Sequence, residues 1–164
     1  MTTVLRYDIG EIEPYINWIY FYHAWGLSGK PESEKAGLRA DAETMLAEFK
    51  SRYHTHAVFG LFSANSDGDD IIIDGVRVPF LRQQTRKTDG SPNLCMADFI
   101  RPLSLGKADR IGVFATTVDA GMEKDYCDDD YLKIMSKTLA DRLAEATAEK
   151  MHEEVRRHYW GYVA

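Results

Sequence analysis

The end of the chain carries the feature that most constrains the fold, a row of mostly apolar residues at strict four-residue spacing. On an α-helix each such step turns about 40° past a full circle, so the row drifts around the helix axis and needs different neighbours along its length. The pattern predicts a long amphipathic helix over residues 129–158, and the acids just before it suit an N-cap. The row consists of Tyr131, Met135, Leu139, Leu143, Thr147, Met151, Val155 and Tyr159.

Two further helices are indicated earlier in the chain. Residues 32–53 place apolar side chains at steps of three and four, with charged side chains between them, which predicts a surface helix with one buried stripe. Residues 14–25, PYINWIYFYHAW, predict a single aromatic-rich helix because Pro14 stands near its start and Gly26 follows its end. The aromatic rings could stack on a planar ring of a ligand, but aromatics at helical spacing usually pack in a core, and we expect the latter.

Short apolar segments between the helices predict strands. HAVFGLFSA, at 56–64, is followed by a polar turn at 65–68, and Asp74-Gly75 between β-branched runs is a strong hairpin signal. RIGVFATT, at 110–117, is expected to pair with these strands. The predicted fold class is α+β, a twisted antiparallel sheet with flanking helices and a long C-terminal helix. With no repeat or linker to divide the chain, we expect one domain over residues 1–164.

Composition excludes several classes of function. The net charge of −6 and the scattered Lys and Arg argue against nucleic-acid binding. No apolar run reaches the roughly 20 residues that cross a bilayer, and the first residues lack a secretory signal, so we expect a cytoplasmic protein without a membrane segment. Cys95 and Cys127 are expected to be reduced thiols. His54 and His56 form an H-x-H pair without a third ligand nearby, so no metal site is expected.

Acidic side chains form a second row on the predicted C-terminal helix. Like charges at this spacing cost a few tenths of a kcal/mol per pair. Two interpretations stay open: a solvated face relieved by nearby arginines, or a surface that meets a partner. The row begins at Lys137 and continues at four-residue spacing with four acids, Asp141, Glu145, Glu149 and Glu153.

Several motifs occur together in a recognisable order. The longest, DDYLKIMSKTLADRLAEATAEKMHEEVRRHYWGY, fills residues 129–162, and shorter ones are YINWIYFYHAWGLSGK, GLFSAN, LRQQTRK, ADFI and KADRIGVFATT. Together they cover nearly the whole chain. The sequence resembles the activation domain of cobalamin-dependent methionine synthase, which uses S-adenosylmethionine to restore methyl groups to oxidised cobalamin.

The resemblance implies roles for three residues. Asn17 stands where the family has an aspartate whose carboxylate is a ligand of S-adenosylmethionine, and an amide brings no negative charge to that place. Asp141 and Glu145 match acids that face the cobalamin domain. The family continues past W-G-Y into an R-P-A-x-G-Y-P loop that supplies an arginine to the same ligand, and we expect this chain, ending at Ala164, to lack that loop.

The implied function is reactivation of methionine synthase by reductive methylation of cob(II)alamin. The expected partners are the cobalamin-binding domain and flavodoxin or a similar reductant, and the reactive metal belongs to the corrin, so the chain is a component of a methyltransferase. Asn17 motivates an alternative, a docking or regulatory module that contacts a corrinoid protein without binding S-adenosylmethionine. A further alternative is that the module acts on a corrinoid protein other than methionine synthase.

Overall fold

Helices and strands account for most of the chain in the computed structural model, which describes residues 2–161. Tyr162, at the end of the W-G-Y motif, lies outside the described residues. Short 3-10 turns occur at Glu13–Tyr15, Met96–Phe99 and Leu103–Leu105, and a π-helical turn at Val155–Tyr159 follows the last helix. The elements are β1 (Thr2–Asp8), α1 (Ile9–Ile12), α2 (Trp18–Ala24), α3 (Glu32–Arg52), β2 (His54–Asp67), β3 (Asp70–Ile73), β4 (Val76–Pro79), β5 (Asp109–Val118), α4 (Gly121–Lys124) and α5 (Asp130–Glu154).

The five strands form one sheet in the order β1-β2-β3-β4, and β5 also pairs with β2. The α+β class, the antiparallel sheet and the long C-terminal helix are therefore confirmed. Contacts along the chain define two compact units. The helical unit contains residues 4–58 and 115 onward, and the strand-loop unit contains residues 2–3 and 59–114.

The four-residue row of α5 forms the core of the helical unit. Its middle members are buried, whereas Tyr131 and Tyr159, at the two ends, are 42% and 45% exposed. The expected drift carries the row off the core at the start of α5, whereas Tyr159 lies in the π-helical turn that follows the helix. Asp129 is the N-cap of α5 and accepts a hydrogen bond from the backbone N–H of Leu132 at 2.8 Å, as the acids before the helix predicted. The buried members are Met135, Leu139, Leu143, Thr147 and Met151.

Helix α3 supplies a second stripe to the same core, with Ala42, Met45, Leu46 and Phe49 all buried. Where β2 meets α5, the hydroxyls of Thr55 and Thr147 lie 2.8 Å apart in a hydrogen bond, and both side chains are fully buried. Buried hydroxyls need such partners because each one left unpaired costs free energy. This pair joins the start of β2 to the middle of α5.

The aromatic segment is not the single helix that its pattern predicted. Pro14 lies in the 3-10 turn, the backbone at Asn17 is extended (φ −83°, ψ 96°), and α2 begins only at Trp18. Asn17 is the N-cap of α2, and its side chain satisfies a helix-end N–H, which is a common role of asparagine at this position. Core packing of the rings is confirmed for Phe21, which is fully buried and meets Trp18 edge to face with ring centroids 5.2 Å apart.

The strand-loop unit contains the predicted hairpin. Ile73 pairs with Val76, and the two turn residues, Asp74 and Gly75, have φ angles of 45° and 85°. Strand β2 runs further than predicted, through the segment interpreted as a turn, because its residues 64–67 pair with all of β3. The turn that the sequence placed at 65–68 therefore starts later, at Gly68.

Arg82 makes ion pairs from the long loop between β4 and β5. Arg82 Nη1 lies 2.7 Å from one oxygen of Asp98, and Arg82 Nη2 lies 2.6 Å from Asp69. The backbone N–H of Cys95 also donates to Asp98 at 2.8 Å. The hydrogen bonds from Arg82 and then from Cys95 lower the pKa of Asp98 to about 2.

The described chain, 2–161, contains no helix with both the length and the apolar character that crossing a bilayer requires. Cys95 is buried, Cys127 is exposed, and both are free thiols.

Candidate functional site

A cleft lies in the helical unit between the start of α2 and the middle of α5. Its volume is about 290 Å³. We call it the α2–α5 cleft. Two of the residues named from the sequence, Asn17 and Glu145, lie on its wall although they are far apart in the chain. Its lining consists of Tyr15, Asn17, Tyr20, Glu145, Ala146, Ala148 and Glu149.

The two polar groups of the Asn17 side chain have different roles, because the oxygen caps α2 and the NH2 group stays available to a ligand. Its Oδ1 accepts a hydrogen bond from the backbone N–H of Ile19 at 3.1 Å, so the amide oxygen caps α2. The NH2 group takes no part in that cap and can donate to a ligand. The residue is exposed, and the cap holds it at the mouth of the cleft.

Glu145 is held by an arginine on its own helix. Arg142 Nη1 and Nη2 lie 2.7 Å and 3.1 Å from the two carboxylate oxygens, a bidentate pair. The Arg142 side chain is 15% exposed and the Glu145 side chain 60%, so the cation lies beneath the carboxylate. Arg142 Cζ also lies 5.9 Å from the ring centroid of Tyr20. Arg142 therefore connects α2 and α5 under one wall of the cleft.

The other end of the cleft is formed by Tyr15, whose hydroxyl donates a short hydrogen bond to Glu153. That bond, more than any other contact, lowers the pKa of Glu153. Lys150 Nζ lies 5.6 Å from the Tyr15 ring centroid and 3.4 Å from Glu154. Charges at this end are thus paired with one another, with Arg157 2.9 Å from Glu153.

The acidic row of α5 is only partly a solvated face. Asp141, Glu145 and Glu149 are exposed, and only Glu145 of these three has an ion-pair partner within residues 2–161. Asp141 lies one turn before Glu145 and is not part of the cleft lining. The structure therefore brings Asn17 and Glu145 together and leaves Asp141 on the open surface beside them.

Tyr15 was not identified from the sequence as a site residue, whereas Glu149 was named in the acidic row and Tyr20 was expected to pack in the core with the other aromatic rings. On one continuous helix, residues five positions apart point in directions about 140° apart, so Tyr15 and Tyr20 would not face one space. The extended backbone at Asn17 changes their relative direction. The 57% exposure of Tyr20, unusual for a ring in an aromatic segment, has no signal in the sequence.

The H-x-H pair is held by a carboxylate. His56 Nε2 lies 2.8 Å from Asp119 Oδ1, and the backbone N–H of His54 donates to Asp119 Oδ2 at 2.8 Å. Burial raises the pKa of Asp119, but the hydrogen bonds from His56 and His54 outweigh it and leave that pKa below its usual value. Across residues 2–161, no group of three or more His, Cys, Asp or Glu residues is arranged to hold a metal ion.

Comparisons with known proteins agree with the motifs. The family model described as "Vitamin B12 dependent methionine synthase, activation domain" matches residues 8–164. A solved structure described as the "MetH Reactivation Domain bound to AdoHcy" is 41% identical, with a TM-score of 0.83. The match covers 99% of this chain and 57% of that chain, so this chain spans little more than half of that relative. The chain belongs to the family of vitamin B12-dependent methionine synthase activation domains.

Proposed function

We propose that this chain is a reactivation module of cobalamin-dependent methionine synthase and that its α2–α5 cleft takes the cationic part of S-adenosylmethionine. The observation that carries the proposal is the meeting of Asn17 and Glu145 in one cleft. The solved relative is bound to AdoHcy, S-adenosylhomocysteine, which differs from S-adenosylmethionine by one methyl group. This favours the ligand-binding function over a module that only docks.

The residues of the cleft suit a positively charged adenosyl ligand. S-adenosylmethionine carries a sulfonium and an ammonium group, and both gain from nearby carboxylates. Glu145 and Glu149 offer those carboxylates, and the exposed ring of Tyr20 offers an aromatic face to a cation. The Asn17 amide adds a hydrogen-bond donor.

The α2–α5 cleft provides space and charged partners for only part of S-adenosylmethionine. Its volume of about 290 Å³ is at the lower limit of small-molecule sites, which run from roughly 300 to 1,000 Å³. Its lining has no lysine or arginine to pair with the ligand carboxylate. We propose that this carboxylate meets groups outside the lining, the role that the resemblance assigns to the arginine loop.

Bound S-adenosylmethionine supplies the methyl group, and a cobalamin carried by a partner domain accepts it. The part of this chain is to bind and orient the donor, which lowers the entropic cost of bringing two cofactors together. We propose that Asp141 and Glu145 face that cobalamin-binding domain, because both carboxylates are exposed on one side of α5. Flavodoxin or a similar protein is the proposed reductant. The cytoplasmic location stays a prediction.

Calorimetric titration of S-adenosylmethionine into this chain tests the proposal. We expect saturable binding that Glu149→Gln weakens about three- to tenfold, since it removes a carboxylate from the cleft without removing volume. Glu43→Gln is the matched control, because Glu43 lies on α3 outside the lining and pairs with Arg39. Absence of binding, or equal weakening by both substitutions, would contradict the proposed function.

A further inference from the structure

We propose that Arg142 sets how strongly the α2–α5 cleft prefers S-adenosylmethionine over S-adenosylhomocysteine. The proposal rests on the proposed function, because it concerns the ligand of the same cleft. The two ligands share every group except the methyl on sulfur, and with it one positive charge. A fixed protein cation beside the cleft therefore acts on the difference between them.

The position of Arg142 makes it such a cation. Its guanidinium forms the bidentate pair with Glu145, which lines the cleft, and its Cζ lies 5.9 Å from the ring centroid of Tyr20, which also lines it. Its Nε is buried and has no hydrogen-bond partner in the described part of the chain. Guanidinium groups keep their charge at every physiological pH, so this charge is permanent.

The charges around the cleft show why one arginine matters. Glu145 and Glu149 contribute two negative charges to the lining, and Arg142 offsets one of them. At the Tyr15 end, Lys150 pairs with Glu154, and Arg157 pairs with Glu153. These pairs cancel, so the lining and Arg142 together present a single net negative charge to the ligand.

Arg142 also restrains the carboxylate that a sulfonium would meet. With both oxygens of Glu145 engaged by the guanidinium, a ligand cation competes with Arg142 for the same group. Removal of Arg142 frees Glu145 and leaves the cleft with a second net negative charge. Both effects favour the cationic ligand and leave the uncharged thioether nearly unaffected.

The expected change follows from Coulomb's law. A unit charge about 8 Å from the sulfonium, acting through a water-like dielectric because the cleft is open to solvent, changes the affinity ratio by roughly two- to threefold at low ionic strength. Mobile ions weaken the effect at higher salt, because the Debye length is about 10 Å at 0.1 M. A dependence of the ratio on salt is a readout that a purely structural role would not produce.

The experiment measures the dissociation constants of both ligands by calorimetry at low and high salt. Arg142→Gln should raise the preference for S-adenosylmethionine roughly two- to threefold at low salt, whereas Arg142→Lys, which keeps the charge but not the bidentate geometry, should raise it less. Glu145→Gln should lower the preference, so the proposal stays testable if Arg142→Gln does not fold. Arg52→Gln is the control, because Arg52 makes a comparable ion pair with Asp125 at 2.8 Å and lies on α3, outside the cleft lining.

Each outcome bears on a different claim. An unchanged ratio in folded Arg142→Gln, or an equally large change in Arg142→Lys or in Arg52→Gln, would overturn the role of Arg142 while the binding function stands. If Glu145→Gln raises the preference, the role is likewise overturned. If neither ligand binds to the unmodified chain, the proposed function fails and the role of Arg142 fails with it.

Discussion

Asn17→Asp is the substitution whose consequences the structure specifies most closely. Asparagine and aspartate have the same shape, and Asn17 uses only Oδ1 to cap α2, through the N–H of Ile19 at 3.1 Å. An aspartate can make the same hydrogen bond and bring a negative charge to the mouth of the α2–α5 cleft. The substitution thus changes the charge of the candidate site without changing the local fold.

The magnitudes separate an effect on stability from an effect on binding. Asparagine, aspartate and serine are nearly equal as N-caps, so the free energy of unfolding should change by less than about 0.5 kcal/mol. A new carboxylate about 4 Å from a ligand cation contributes between about 1 kcal/mol in water and about 4 kcal/mol near a protein surface. Repulsion from Glu145 and Glu149 offsets part of this, so we expect S-adenosylmethionine to bind roughly tenfold more tightly.

Calorimetric titration with S-adenosylmethionine, combined with thermal unfolding, measures both quantities. Asn17→Ser is the matched control, because serine keeps the cap and adds no charge. The serine variant should bind no more tightly than the unmodified chain. Unchanged or weaker binding by a stably folded Asn17→Asp would refute the reasoning, since the charge at this position would then not reach the ligand.

Three other substitutions test the core, the loop and the exposed acid of α5. Thr55→Val should lower the free energy of unfolding by about 0.5–1.5 kcal/mol in urea titration, because it removes the buried hydrogen bond to Thr147, whose hydroxyl keeps its hydrogen bond to the Leu143 carbonyl at 2.7 Å. An unchanged free energy of unfolding would contradict a contribution from this pair. The hydrogen bond from Arg82 lowers the pKa of Asp98, so the stabilising contribution of this carboxylate is present above its unfolded pKa of about 4 and is lost as the pH falls toward 2. Asp98→Asn should therefore make the free energy of unfolding less dependent on pH between about 4 and about 2, and an unaltered pH dependence would contradict the role of the Arg82–Asp98 pair. Asp141→Lys should weaken binding to a cobalamin-binding domain with little change in melting temperature, and intact binding in a pull-down would contradict a contact there.

Much of the fold could be predicted because its signals are local in the sequence. The apolar row of α5 repeats every turn, so its buried middle and its N-cap at Asp129 follow from helical geometry alone. The Asp74-Gly75 hairpin follows from the positive φ angles that its turn requires. Apolar spacing likewise indicated the buried stripe of α3. The family motifs, spread over nearly the whole chain, indicated the membership that the comparisons then showed.

The candidate site depended on information that is not local. Asn17 and Glu145 were each singled out by resemblance, but nothing in either segment says that they share a cleft with Tyr20. The pattern of the aromatic segment predicts one helix, and its interruption at Asn17 alters which side chains face α5. Strand β2 extends beyond the apolar residues 56–64 because its backbone pairs with that of β3, and this pairing does not require apolar side chains.

The sequence by itself thus determined the periodic elements, the hairpin and the family, because each depends on residues within a few turns or on a string of letters. The arginines that neutralise Glu145 and Glu153 are three and four residues away, so the sequence also indicated those ion pairs, and only the tertiary structure decided which acids line the cleft. The burial of Arg142 beneath Glu145 depends on α2 packing over α5, a contact between distant segments that helical spacing does not encode. The net charge of the cleft, and with it the ligand that the cleft suits, is therefore a property of the folded chain.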